Sequence, residues 1–229
     1  MAATRATLTP ARVIGEAIAI ADASGLDAVS MRAVATRLGV VPMALYKHVS
    51  DKSALVGGMI DAVVAAYPQP PAGLPWTDAV RWRILAAREA LGAHPWLRPA
   101  IEGATQRTPA VLAYMNALAG EFAAGGVSYD LAHHAMHALG HRIWGFSPEA
   151  FAPPAASAAP ETPGTPDGPD AETLAAMAAA FPHVVAIAQE AAASHPSGAC
   201  DADAEFVFTL DLLLDAFTRL HAAGWSSRG

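Results

Sequence analysis

The sequence predicts an all-α protein, with an N-terminal three-helix head of helix-turn-helix type and a larger helical body. Three observations carry this. Alanine, leucine and methionine dominate, and no segment sustains the alternation of a strand. Helix starts and stops recur along the chain. Ala35, Gly39 and Leu45 stand at offsets 0, +4 and +10. A helix-turn-helix needs that spacing: a small residue lets two helices approach, glycine permits the turn, and an apolar residue closes the core.

Thr9-Pro10 reads as an N-cap followed by proline at the first helical position, and the first helix runs to about Ser24 with Ile14, Ile18 and Ala21 on one face. Gly25 stops it. Ser30 caps a short helix, Met31 to Leu38, ended by Gly39. A third spans about Pro42 to Val49, and Asp51 caps a fourth that reaches about Tyr67. Val34, Leu38, Val40 and Val49 are expected to complete a core with Ile14 and Ile18. Pro68, Pro70, Pro71 and Pro75 mark a joint between head and body.

In the body, 76–93 reads as a long helix, and Pro95 and Pro99 bracket a connector. Thr108-Pro109 starts a helix ending near Gly125-Gly126, and Ser128 caps one running to about Phe146. Seven prolines in 147–170 make that stretch a flexible loop. Helices are expected again at 171–193 and 203–222, the last strongly apolar. The division is therefore a head at 1–55 and a body at 56–229.

Hydrophobic residues at 53% and charged ones at 15% exclude a disordered chain. No apolar run reaches the roughly 20 residues of a membrane span. Glu16 and Asp22 interrupt the N-terminal apolar stretch, so no secretory signal is expected. One cysteine, Cys200, leaves no intramolecular disulfide, and the cytoplasm is the expected location. The net charge is −7, unevenly placed. Residues 1–55 hold six Lys/Arg against four Asp/Glu, and the remainder eight against seventeen. A mildly basic head suits an anionic partner.

In a helix-turn-helix the second helix enters the major groove with its N-terminal residues at base edges. Here Pro42, Met43 and Ala44, with Val41 before them, offer apolar contact to thymine methyl groups. Arg32, Tyr46, Lys47, His48 and Lys52 carry the polar contacts, many of them to phosphates.

The segment SMRAVATRLGVVPMALYKHVSDKSAL, residues 30–55, resembles the helix-turn-helix of the tetracycline-repressor (TetR) family in its LGV turn, its LYKHVSDK run and the apolar helix that follows. The resemblance covers about residues 9–65. The body resembles the family's C-terminal domain by architecture, with HPW near the middle and ALGHRIWGF late. The resemblance implies a homodimeric repressor that binds a palindromic double-stranded DNA operator and releases it on binding a small-molecule effector. It places Arg32 and residues 42–44 at bases, and Tyr46, His48 and Lys52 at phosphates. The apolar Val41-Pro42-Met43-Ala44 departs from the polar first turn of tetracycline repressors, so their operator does not transfer.

For the effector, Trp82, Tyr114, Met115, His137, His141 and Trp144 are the candidate ligand-binding residues, with His94, Trp96 and Phe146 as further pocket formers. His133, His137 and His141 share one helix face, a spacing compatible with a metal. No acidic or cysteine ligand stands with them and there is no HExxH, so neither a metal nor a cofactor is expected. The helices at 129–146 and 203–222 carry more apolar surface than one core face needs and are the candidate dimer elements. An all-helical enzyme using the histidines is the alternative from another class, but no nucleophile elbow, P-loop or dinucleotide fingerprint supports it. A helix-turn-helix activator, or a DNA binder that ignores ligands, is the other.

Overall fold

The computed structural model describes residues 7–104, 107–144, 171–194 and 202–228. They form α1 Pro10–Ser24, α2 Met31–Leu38, α3 Pro42–Leu45, α4 Lys52–Ala65, α5 Trp76–Ala93, α6 Leu97–Glu102, α7 Pro109–Ala124, α8 Tyr129–Trp144, α9 Ala171–Ala180, α10 Pro182–Ser194 and α11 Ala202–Ala222. Among the described residues there is no strand. The Pro-rich stretch 147–170 and Phe146 lie outside them.

The caps act as the sequence predicts. Thr9 accepts from the Arg12 amide, Ser30 from Ala33 and Asp51 from Ala54, each satisfying an amide that a helix start leaves open. Gly39 takes the left-handed conformation at φ 66°, where a side chain would be strained. It reverses the chain into the turn between α2 and α3.

Three elements differ from expectation. The third helix is a single turn, and His48 N donates to Leu45 O at 2.8 Å, three residues back, so the chain tightens instead of continuing as α-helix. The stretch between Pro95 and Pro99 is no plain connector, since α6 begins at Leu97. Pro99 occupies the helix's third position, where its missing N–H is one the helix start would leave unbonded. The expected helix at 171–193 is two, α9 and α10. Pro182 lacks an N–H and disfavours helical geometry at Phe181, which breaks the run.

Contacts divide the chain into two compact units. In the smaller, 145–210, α9 and α10 touch each other. The larger unit, 1–144 with 211–229, holds the candidate DNA-binding residues and the cavity walls described below. Within it, α1 packs on α2 and α4, α2 on α3, and α4 on α6 and α7, while α5 and α7 pack together and on α8. One core cluster runs through the head and beyond it: Val13, Ala17, Val34, Ala35, Leu45 and Leu55 join Met59 and Ile60 of α4 and Trp96, Leu97 and Ile101 at α6. Ile14 and Ile18 are partly buried and pack against this cluster, as Leu38 and Val40 do, while Val13, Ala17 and Ile20 are buried in it. A Cβ at Gly58 would stand 2.8 Å from Ile14 Cδ1, so glycine there lets α4 approach α1 closely.

In the body, Arg83 of α5 is buried and tied to α7 through Glu121, its Nη2 at 2.8 Å from Oε1. Arg83 Nη1 also donates to Gln69 Oε1 at 3.1 Å. Arg81 pairs with Asp211 at 2.8 Å, and Trp76 meets His221 edge-on, which together attach the C-terminal half of α11 to α5. The chain end returns to α8, where Asp130 accepts both the amide and the hydroxyl of Ser227 at 2.7 Å.

Two carboxylates give a pH signature. Asp51 is held below its ordinary value by the Ala54 amide and the Ser50 hydroxyl, and Asp130 by the Ser227 amide and hydroxyl. A carboxyl lowered by folding stabilises the fold above its unfolded value and loses that contribution as pH falls through its folded value. Melting temperature is therefore expected to lose these two contributions only below about pH 4. Asp51→Asn should flatten part of that acid limb in a pH series of thermal melts.

Candidate nucleic-acid interface and effector cavity

The turn at Gly39 delivers Val41 in extended conformation and Pro42 at the first position of α3. Leu45, fully buried, sets the phase of that short helix. Its opposite side therefore faces solvent: Val41 is 67% exposed, Met43 71% and Tyr46 45%. Pro42 and Lys47 are exposed too, while Ala44 and His48 are half-buried. Lys52 is exposed at the start of α4, and Arg32 in the first turn of α2. The structure thus brings the sequence-predicted residues onto the loops and helix starts around α3. Arg37 is engaged elsewhere, its Nε 3.0 Å from Glu16 Oε2. Among the described residues Arg32, Lys47 and Lys52 have no ion-pair partner, so their charge is open to an outside anion.

Behind this surface a polar contact joins head to body. Asp22, near the end of α1, accepts from Trp96 Nε1 at 2.6 Å, and His94 Nδ1 lies 2.7 Å from the same oxygen, Oδ1. Trp96 is buried, so its N–H needs this acceptor. His94 and Trp96 therefore bind the head and are not among the residues lining the cavity between the body helices, contrary to the expectation for them.

A cavity of about 370 Å³ opens between α4, α5, α6, α7 and α8. Tyr114, Met115, His137 and His141 line it, as the sequence predicts. Trp82 does not. Its neighbours Arg83 and Ile84 take the inward face of α5, while Trp82 is 41% exposed and donates from Nε1 to Pro68 O at 3.3 Å. The side chain of Trp144 lies outside the described residues. His133, which shares a helix face with His137 and His141, lines the cavity with them, while sequence reasoning missed Tyr67, Arg107 and Met136 as wall residues. Their only shared signal is tertiary, because they come from different elements.

Tyr114 donates its hydroxyl to Arg83 O at 3.1 Å, and its ring meets Tyr67 edge-on at 5.5 Å. Burial pushes the Tyr67 phenol up to about 12 and raises that of Tyr114 further, so both rings stay neutral. Ile101 belongs both to the head's core cluster and to the cavity wall. Short α6 thus stands between the two sites. Among the described residues no group of three His, Cys, Asp or Glu side chains is arranged to hold a metal. Nor is any helix among them long and apolar enough to cross a membrane.

Comparison with known proteins agrees with both halves. Residues 13–59 match the model for bacterial regulatory proteins of the tetR family. Residues 67–219 match the tetracyclin repressor-like C-terminal domain. The chain belongs to the TetR family. Among relatives, the HTH-type transcriptional repressor DrrR1 of Streptomyces coeruleorubidus is 42% identical over 97 residues, 40% of this chain and 34% of its own length. The class D tetracycline repressor protein of Escherichia coli is 32% identical over 89 residues, 38% of this chain and 41% of its own. The matches thus span well under half the length of these curated relatives. Among solved structures, the Streptomyces coelicolor TetR family protein ActR, in complex with (S)-DNPA, superposes with a TM-score of 0.65 at 22% identity, covering 93% of this chain and 98% of that one. At that identity the likeness is one of fold, and it includes the helical body as well as the TetR head.

Proposed function

We propose that this TetR-family protein is a homodimeric transcriptional repressor, acting in the cytoplasm, that grips a palindromic operator and lets go when a small molecule fills its cavity. The observation that carries the reading is the outward row on and around α3, in which exposed Val41, Met43 and Tyr46 sit among unpaired cations. A solvated surface has no use for that mixture, whereas a DNA groove offers methyl groups and phosphates to match it. In this reading Arg32 and residues 42–44 face bases, and Tyr46, Lys47, His48 and Lys52 hold phosphates. The functional division falls near residue 55, with a reading head at 1–55 and an effector and dimer body at 56–229.

Tyr114, Met115, His137 and His141 would touch the effector, with Trp144 at the end of the same helix as the two histidines. Ligand release follows from differential binding: the effector must favour the arrangement of heads that fits DNA less well. Two copies joined through α8 and α11 would present two heads to half-sites about one DNA turn apart. Exposed Leu212 on α11 supports that surface.

The test is fluorescence anisotropy on an operator selected from random duplexes. Lys52→Ala and Tyr46→Phe are expected to weaken binding to all sequences alike, the lysine change reducing the salt slope by about one. Arg32→Ala should cost about 1–3 kcal/mol and relax preference at its base. Unchanged binding in all three variants would rule out these contacts.

A further inference from the structure

We infer that the cavity takes an acidic aromatic effector, a flat apolar body bearing a carboxylate or phenolate, bound without a divalent cation. This deepens the reading of the cavity as the effector site and rests on it.

The inference starts from which charges in the body are already matched. Arg83 is neutralised by Glu121 at 2.8 Å. Arg107, on the cavity wall, has no such partner: among the described residues its one bond is from Nη1 to Ile101 O, a long 3.4 Å. No Asp, Glu or Cys stands among the described lining residues. The wall therefore carries a guanidinium, on an exposed residue, and no anion among the described lining residues balances it. In a site partly screened from water such a charge favours an anionic guest and disfavours a cationic one.

The rest of the polar wall fits an acceptor-rich edge. The Tyr67 hydroxyl makes no hydrogen bond among the described residues, and as a neutral phenol it can donate. His133, His137 and His141 run along α8 as a ladder, with ring centroids 4.6 Å and 6.5 Å apart. Successive helical turns place the three imidazoles along an axis and not around one point, and no acidic ligand joins them. A ladder offers ring faces to a flat guest and N–H groups to its oxygens. Val64, Ile84, Val111, Leu118, Leu139 and Ile143 supply the apolar floor.

Three fluorescent probes with one apolar body separate the possibilities: pyrene-1-carboxylate, pyrene-1-methanol and pyrene-1-methylammonium. Each is titrated into the full chain in EDTA and again with Mg²⁺, and operator binding is measured on the same preparation. The carboxylate is expected to bind at least tenfold tighter than the ammonium, equally well in EDTA. Arg107→Gln should bring the carboxylate to the level of the alcohol, and Arg107→Lys should restore most of the preference. The inference is overturned if the ammonium binds as tightly as the acid, if the acid needs Mg²⁺, or if Arg107→Gln leaves the acid's advantage intact. It is also overturned if no probe binds while operator binding is normal. Carboxylate binding in a protein that binds no DNA would uphold the ligand class and defeat the repressor reading instead.

Discussion

Leu45→Ala is expected to lower stability by about 2–5 kcal/mol and to abolish operator binding at temperatures where the wild-type head is folded. Leu45 is fully buried and is the buried residue of α3, seated in the core cluster with Val34 and Ala35 of α2. A helix of one turn has no stability of its own, so it keeps its shape only while this side chain is seated. For a chain of this length the melting temperature should fall by roughly 4–20 °C. Met43→Ala is the matching control. Met43 is 71% exposed two residues away, so its loss should leave the melt within about 0.5 kcal/mol of wild type while weakening DNA binding. Thermal melts and anisotropy on both variants separate folding of the head from reading by it. Equal melts for Leu45→Ala and wild type would mean that α3 is held by something other than Leu45.

The second large effect is expected at Asp22. Asp22→Ala removes the acceptor shared by Trp96 and His94 and leaves the buried indole N–H without a partner, at a cost of about 1–3 kcal/mol. Trp96→Phe removes the donor and leaves a smaller aromatic ring, and the double variant should be less destabilised than the sum of the two by at least about 0.5 kcal/mol. The functional consequence lies in the link between sites. Asp22 anchors the end of α1 to the segment just before α6, and α6 places Ile101 in both the head core and the cavity wall. Loosening that anchor should weaken operator affinity and reduce the change in affinity that an effector produces. Additive effects in the double-mutant cycle would show that the contact carries no coupling.

The head was legible because its signals are local. Thr9, Ser30 and Asp51 cap the helices they precede, and Gly39 takes the left-handed turn that the spacing to Ala35 and Leu45 demanded. Prolines were harder to read. Pro99, which reads as the edge of a connector, sits within the first turn of α6, where proline costs little, whereas Pro182 breaks its helix inside an alanine-rich run. In the body, Tyr114, Met115, His137 and His141 could be picked out by side-chain type, yet type alone misplaced Trp82, whose helical phase points it away from the cavity. The contact from Asp22 to Trp96 and the convergence of Tyr67 with Arg107 depend on tertiary packing between distant segments, which periodicity along one helix does not encode.

If the α3 surface binds the DNA backbone and bases, operator affinity must fall steeply with salt. Lys47 and Lys52 on each of two heads would neutralise phosphates, so log K should fall linearly with log salt, with a slope of about −4. Between about 50 and 200 mM salt the affinity is expected to drop roughly two-hundredfold. Absence of binding at the low end, or an affinity that salt does not change, would contradict the account.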